Sequence, residues 1–241
     1  MSDAEPRNPF TRRSFVLGGV LIAGLTAAAI ALAFTSVNRD PTAAVAASTS
    51  TPAITTTADP AAASVCGLPG YDKTNNLTAA PEAKWDIVGT MAAPGSKKVG
   101  PGVTGADGFR SCYSHTPAGA LFSVVNFTAM SSDNRLAPHL PDLLIPGPGR
   151  DAAVTAGSGS IGQSSVRVQV AGYIITAYTG DTATVDLAVA VTSSGGQLVS
   201  LPLPVQWVDG DWKIVLADNG QPVFAASPLQ SLGGYTPWSG V

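Results

Sequence analysis

Asp209 and Asp211 are separated only by Gly210, and two carboxylates this close could bind a metal ion or act as general acid and base. Trp207 and Trp212 flank the group. The same residues are also a strong signal for a β-hairpin, because Asp-Gly favours the left-handed backbone of a type I′ turn. A two-residue turn here places the two tryptophans opposite each other, with their apolar neighbours on one face. We therefore expect a structural hairpin and no catalytic or metal-binding role for the aspartates.

Cys112 and His115 are a second possible reactive pair, a thiol nucleophile and its base. Catalytic Cys and His usually meet through the fold rather than by adjacency, and Cys112 has an alternative partner in Cys66. Outside the cytoplasm such a pair favours a disulfide, and two buried free thiols are the alternative. A zinc site needs three or four ligands, and neither His115 nor His139 has others at close spacing. We expect His115 to pack or hydrogen bond at the start of a helix.

Other signatures of catalysis or cofactor binding are missing from the sequence. The chain contains no Walker loop, no dinucleotide fingerprint and no G-x-S-x-G motif. Its formal net charge is −3, and beyond residue 40 nine Lys and Arg residues stand against thirteen Asp and Glu. This balance does not supply the basic surface that nucleic-acid binding requires. We expect no catalytic residue, no metal, no cofactor and no direct contact with DNA or RNA.

The N-terminal part of the chain predicts where the protein is located. Residues 15–34 are twenty consecutive uncharged residues, which is long enough to span a bilayer core. Arg7, Arg12 and Arg13 precede this stretch, so the positive-inside rule keeps residues 1–14 in the cytoplasm. Arg12 and Arg13 also resemble a twin-arginine export signal, and cleavage is the alternative to an uncleaved anchor. Both interpretations place the remainder of the chain outside the cytoplasm.

Residues 35–64 are rich in Ala, Thr, Ser and Pro and contain almost no large apolar side chain. Such a composition cannot bury enough surface to offset the entropy cost of ordering. We expect a disordered linker here, followed by one extracytoplasmic domain over residues 65–241 with an irregular C-terminal tail.

Helical patterns precede strand patterns within this domain. Thr116 and Pro117 are a helix cap and a proline suited to the first helical position, and apolar residues then recur at helical spacing. A shorter helix is expected over residues 136–145. Beyond the helices the apolar period changes to two, which predicts an antiparallel meander whose last strand is kept short by Pro202 and Pro204. The predicted class is α+β, with helices packed on one face of a curved antiparallel sheet.

The turn at Gly180 and Asp181 sets the expected register of the first long strand pair. A two-residue loop there places Val170 opposite Val191 and sorts the apolar residues onto one face. The opposite face is not simply polar, and the N-terminal segment or the tail could cover it. The alternative is a contact surface for a partner or a second copy. The residues predicted for that surface are Tyr173, Ile175, Ala188 and Ala190.

The order of these parts resembles an NTF2-like domain on a membrane stalk, with a meander that ends in WVDGDWK at residues 207–213. More specific are the segments VCGLPG, WDIVGTMAAPGS, GPGV, CYSHTPAGALF and PGPGRD, which lie between residues 65 and 151. Together they resemble an uncharacterised family of actinobacterial single-pass membrane proteins. Its architecture is similar to that of the bitopic scaffold proteins of type IV secretion and conjugation systems.

The resemblance implies an NTF2-like cone that acts as a non-catalytic, membrane-anchored scaffold in an envelope complex of the conjugation type. It implies protein partners in the envelope, with homo-oligomers as a further option. Because such cones often enclose an apolar pocket, the alternative is binding of, or enzymatic action on, a small apolar ligand outside the membrane. The residues available for that chemistry are Asp86, Asp142, Tyr173 and Tyr178, and the hairpin register turns Tyr173 away from the cavity.

Overall fold

The structure is a computed structural model that describes residues 63–157 and 167–240. The expected cytoplasmic segment and apolar span, together with nearly all of the linker, fall in residues 1–62 and lie outside the described residues. Within the described ranges, no helix is both long and apolar enough to cross a bilayer.

Helices and a mostly antiparallel sheet form the described part of the chain, which confirms the α+β class. The helices are α1 (Pro117–Met130), α2 (Pro148–Thr155) and the 3-10 helices Ala137–Leu143 and Thr192–Ser194. The short N-terminal strands are β1 (Lys84–Val88), β2 (Met91–Gly95), β3 (Val103–Thr104) and β4 (Arg110–Ser111). The later strands are β5 (Val168–Tyr178), β6 (Thr182–Val191), β7 (Gln197–Val208), β8 (Asp211–Ile214), β9 (Ser227–Leu229) and β10 (Thr236–Pro237).

Helix α1 lies at the centre of the core, against β2 and the main sheet. Almost all of its residues are buried, which is why its sequence is apolar on nearly every side. The Thr116 hydroxyl accepts the Gly119 N–H at 3.1 Å, and Pro117 begins the helix. The predicted cap and helix start are confirmed.

The main sheet has the strand order β10-β5-β6-β7-β8, and β9 also pairs with β7. Trp207 lies opposite Trp212 in the β7–β8 hairpin, as predicted. The turn residues Asp209 and Gly210 have φ of 54° and 77°, in the left-handed region that a type I′ turn requires. Strand β8 has only four residues, and its ladder with β7 ends at the pair Val205 and Ile214, followed by one hydrogen bond from the Val215 N–H to the Pro204 carbonyl oxygen at 2.9 Å. The short last strand is therefore confirmed.

The predicted register between β5 and β6 is correct only beside the turn. There Ala177 pairs with Thr184, as a two-residue loop requires. Two irregularities in β5 then each shift the register by one residue, so that Val170 pairs with Val189 instead of Val191. A β-bulge inserts one residue into a strand and thereby reverses which side chains face the core.

These bulges correct the assignment of the predicted contact surface. Tyr173 is 2% exposed, lies opposite Leu187 and belongs to the core, and Ile175 packs against the same core. Ala188 lies on the other face, as predicted, but it is 0% exposed, and Ala190 is half-buried. The four residues do not share one exposed face.

The C-terminal tail covers the face that contains Ala188. Strand β10 pairs with β5 at Gly172, where an added Cβ would lie 2.9 Å from the Thr236 carbonyl oxygen. The Tyr235 hydroxyl donates to Asp186 Oδ2 on β6 at 2.7 Å. Tyr235 therefore crosses β5 at the position without a side chain and reaches β6. The expectation that the tail covers this face of the sheet, rather than leaving it as a contact surface, is therefore confirmed at Tyr235 and Gly172.

Candidate functional site

Several side chains that could take part in a reaction lie close together at residues 112–116. This segment connects β4 to α1 and is called the junction. Cys112, Tyr113, Ser114 and His115 are all buried, and Thr116 caps the helix. Three distant parts of the chain contact the junction: the start of the domain, the β7–β8 hairpin and the turn between β5 and β6. These contacts determine whether the side chains of the junction can reach a substrate.

Cys112 forms the predicted disulfide with Cys66, with 6.2 Å between the two Cα atoms. The Cys112 side is buried, whereas Cys66 is exposed. The backbone N–H of Cys66 donates to Cys112 Sγ at 3.1 Å, and Ser64 Oγ lies 3.0 Å from the same sulfur. The disulfide fastens the first described residues to the junction. Because its sulfur is in the disulfide, Cys112 cannot act as a nucleophile that His115 activates.

Asp211 is buried, with 3% of its surface exposed, and both carboxylate oxygens accept backbone N–H groups. Its Oδ2 accepts from Cys112 at 2.9 Å, and its Oδ1 accepts from Tyr113 and Trp212, each at 2.9 Å. Burial raises the pKa of Asp211, while the N–H donors act in the opposite direction. Asp209 is exposed, so the two aspartates do not form a paired site.

The turn of the β7–β8 hairpin also holds the start of the domain. The Val65 N–H donates to the Gly210 carbonyl oxygen at 2.9 Å. A Cβ added to Gly210 would lie 2.8 Å from Val65 N and 3.1 Å from the Ala63 carbonyl oxygen. The chain therefore passes directly over Gly210 before it reaches the disulfide.

His115 is 0% exposed and packs against aromatic rings. Its ring stacks on Trp207 with centroids 3.8 Å apart and planes inclined by 7°, and the Tyr71 ring centroid is 4.5 Å away. Its Nε2 lies 3.0 Å from the Gly180 carbonyl oxygen and 3.1 Å from Asp181 Oδ1. The predicted packing role of His115 is confirmed, and its contacts with the β5–β6 turn are additional.

Trp212 joins the hairpin to the junction through a polar contact. Its Nε1–H donates to the Ser114 carbonyl oxygen at 3.0 Å. Its ring meets Trp207 edge to face, with centroids 5.5 Å apart and planes inclined by 72°. The predicted apolar clasp is therefore present and also carries a hydrogen bond to the start of α1.

A second set of contacts lies along β5. Residues 72–83, called the strap below, have no regular secondary structure and precede β1. Three aromatic side chains, called the donor row, each donate to a main-chain carbonyl oxygen of the strap. They are Tyr178 to Asp72 at 2.8 Å, Tyr173 to Ala79 at 2.9 Å and Trp238 to Pro81 at 3.0 Å. Burial raises the pKa of Tyr173 and of Tyr178, which keeps both hydroxyls protonated as donors.

The other residues considered for chemistry have separate surroundings. Asp86 is exposed and lies 3.4 Å from Arg110 Nη2, and exposed His139 has its Nε2 3.7 Å from Asp107 Oδ2. Asp142 is exposed. Across residues 63–157 and 167–240, no group of three His, Cys, Asp or Glu side chains is arranged to hold a metal ion.

Tyr113 is a buried residue that no sequence motif indicated as functional. Its hydroxyl is the one buried side-chain polar atom without a hydrogen-bond partner in the described part of the chain. Burial raises the pKa of Tyr113 well above its ordinary value, and the charge of Asp211 adds to the rise. No local sequence signal marks this residue, because an inward-facing tyrosine between buried neighbours is common in protein cores.

Comparison with curated proteins and with solved structures gives no match for the chain. A protein-family model does match, over residues 45–237. The match spans the end of the expected linker, both sets of contacts described above and most of the tail, which is more than half of the chain. The chain therefore belongs to the family described as a domain of unknown function, DUF8175.

Proposed function

We propose that the protein is a non-catalytic, membrane-anchored scaffold or assembly component of an envelope complex, of the kind used in conjugation or type IV secretion. In this proposal residues 15–34 anchor the chain, residues 1–14 are cytoplasmic and residues 35–64 are a linker. The domain from residue 65 onward is an NTF2-like cone outside the cytoplasm. The order of elements, with α1 before the long antiparallel strands, supports that part of the proposal.

The observation that carries the proposal is how the reactive side chains of the junction are used. Cys112 is bonded to Cys66, both oxygens of Asp211 accept N–H groups, and His115 is buried between rings. A catalytic group must be able to meet a substrate. These groups instead fasten the start of the domain to its core. In this proposal the domain is connected to its membrane anchor through its N-terminus, so a covalent and hydrogen-bonded attachment at that end suits a tethered scaffold.

The proposal is tested by mild crosslinking of the full-length protein in cells, followed by purification from membranes and mass spectrometry. We expect a coupling ATPase or other proteins of a transfer channel to be enriched. The matched control replaces residues 15–34 with an unrelated apolar span of equal length, which should keep the same partners if the domain recognises them. Recovery of the protein alone from both versions would overturn the scaffold function.

The alternative is a cone that binds, or acts on, a small apolar ligand, and it is favoured by the unpartnered Tyr113 hydroxyl. A buried polar group without a partner costs about 1–3 kcal/mol, which a polar atom of an otherwise apolar ligand, or an ordered water, would recover. Native mass spectrometry of the protein purified from its own host would reveal a retained small molecule. Tyr113→Phe should lose it, whereas Tyr235→Phe, which alters the opposite face of the sheet, should retain it.

A further inference from the structure

The strap is held mainly through its main chain. All three hydrogen bonds from the donor row end on carbonyl oxygens, while most strap side chains are exposed. Every residue has a carbonyl group, so the donor row selects an extended backbone more than a particular side chain. Aromatic grooves that donate to the carbonyl groups of an extended, proline-containing segment are an established mode of peptide recognition.

A segment similar to the strap occurs a second time in the chain. Residues 78–83 read TAAPEA, and residues 57–62 read TADPAA. The two segments share Thr, Ala, Pro and Ala at the first, second, fourth and sixth positions. The positions that differ are occupied in the strap by Ala80 and Glu82, which are exposed. Pro81 and Ala83, the partly buried positions, are identical in the two segments.

The geometry of the domain prevents residues 57–62 from reaching the donor row of their own chain. Ala63 lies at the hairpin turn beside Gly210, whereas Tyr173 lies at the level of Leu187 and Leu201. Strand β7 runs from Leu201 to Val208 between these levels, a distance of roughly 23 Å at about 3.3 Å per residue. At no more than about 3.6 Å per extended residue, Pro60 lies within about 11 Å of Ala63 and Ala58 within about 18 Å, which is shorter than this distance. Only a second copy can therefore place this segment on Tyr173 and Trp238.

We propose that the donor row is a docking site for residues 57–62 of a second copy of this chain, which replace the strap. The main-chain carbonyl groups of Ala58 and Pro60 then accept from Tyr173 and Trp238, as those of Ala79 and Pro81 do in the strap. The strap of the same chain competes with the docking segment for the donor row, at an effective concentration on the order of 1 mM. Association is therefore weak in dilute solution and rises when copies are concentrated together. This self-association does not depend on the envelope partners proposed above.

The test uses the full-length chain in detergent, with unlabelled and ¹⁵N-labelled protein mixed in equal amounts. A photo-crosslinking residue replaces Ala61, which corresponds to exposed Glu82, and mass spectrometry separates mixed-isotope crosslinks from those within one copy. We expect mixed-isotope crosslinks to residues near Trp238 and Tyr173. Crosslinks confined to one isotope, or none at all, would overturn the proposal.

Variants make the test specific. Pro60→Gly should lower the mixed-isotope crosslinks, whereas Pro52→Gly should not. Tyr173→Phe removes a donor that the strap and the docking segment share, so it should leave their competition, and the mixed-isotope crosslinks, nearly unchanged. Pro81→Gly weakens the competing strap and should raise them. Equal yields from Pro60→Gly and Pro52→Gly, or a fall with Pro81→Gly, would contradict docking at the donor row.

Discussion

Asp211 Oδ2 accepts the backbone N–H of Cys112 at 2.9 Å, although 99 positions separate the two residues in the sequence. Cys112 has φ of 65°, a left-handed conformation that costs a non-glycine residue roughly 1–2 kcal/mol. It is also the residue that carries the disulfide to the start of the domain. The hairpin carboxylate thus stabilises the backbone from which the N-terminal attachment is made, and these parts should lose stability together.

Replacement of the buried carboxylate tests this coupling. Asp211→Asn keeps the size of the side chain but turns an amide donor toward the N–H groups of Cys112 or Tyr113. A buried donor left without an acceptor costs about 1–3 kcal/mol, so the free energy of unfolding should fall by that amount. Urea unfolding followed by tryptophan fluorescence measures the loss. An unchanged midpoint would show that the carboxylate does not hold the junction.

The same variant should change the pH dependence of stability. Burial raises the pKa of Asp211, so between about pH 4, its value in the unfolded chain, and the raised value the folded protein binds a proton more tightly. The pH-dependent part of the stability that this group contributes is fully present below that window and is lost as the pH rises through it. Asp211→Asn lacks this titration, so its deficit relative to the parent should be largest near pH 4 and smaller at pH 7. A deficit that grows with pH would contradict the direction of the shift.

The disulfide should contribute a separate share of the stability. Its cysteines are 46 positions apart, and a crosslink over a loop of this size stabilises by about 2–4 kcal/mol, mainly by constraining the unfolded chain. Cys66→Ser should lower the free energy of unfolding by that amount, and a thiol reductant should have the same effect on the parent protein. The reductant should not affect Cys66→Ser further. A parent protein whose urea midpoint is insensitive to reduction would contradict this prediction.

Features with local signals could be predicted from the sequence. Thr116 and Pro117 identify the start of α1, and Asp209 with Gly210 identifies the hairpin turn, because cap and turn chemistry involve neighbouring residues. The disulfide followed from the presence of two cysteines in one expected compartment. These signals establish which elements form, but not which distant elements meet.

The role of Asp211 could not be predicted, because its partners are the backbone N–H groups of Cys112 and Tyr113. Every residue other than proline has such a group, so no pattern in residues 112 and 113 indicates a distant carboxylate. The donor row was missed for the same reason, since its acceptors are carbonyl oxygens of the strap. The β5 bulges were missed because an inserted residue changes the pairing without changing the local composition.

The corrected register gives a prediction for the face under the tail. Ala188→Asp places a carboxylate at a position with 0% exposure, on the same side of β6 as Asp186. A buried, unpaired charge should destabilise the domain by roughly 3 kcal/mol or more. Ala177→Asp is the matched control, because Ala177 is exposed on β5, and it should change stability by less than about 0.5 kcal/mol. The midpoints of thermal unfolding of the two variants measure this difference in stability. A stable Ala188→Asp would show that the tail does not seal this face.

The contact between Gly210 and the start of the domain gives the last prediction. Gly210 and Gly196 have nearly the same φ, 77° and 79°, so replacement by alanine adds a similar backbone strain of about 1–2 kcal/mol at each position. Around Gly196 an added Cβ meets no atom within 4 Å, whereas at Gly210 it lies 2.8 Å from Val65 N. Gly210→Ala should therefore lose more stability than Gly196→Ala.

Hydrogen exchange locates the extra loss. The Val65 amide, which donates to the Gly210 carbonyl oxygen, should exchange faster in Gly210→Ala and at the parent rate in Gly196→Ala. This difference follows because the new methyl group pushes the passing chain away from the turn while the disulfide still holds Cys66. Equal stability losses in the two variants, with an unchanged Val65 amide, would show that the chain is attached to the domain by the disulfide alone.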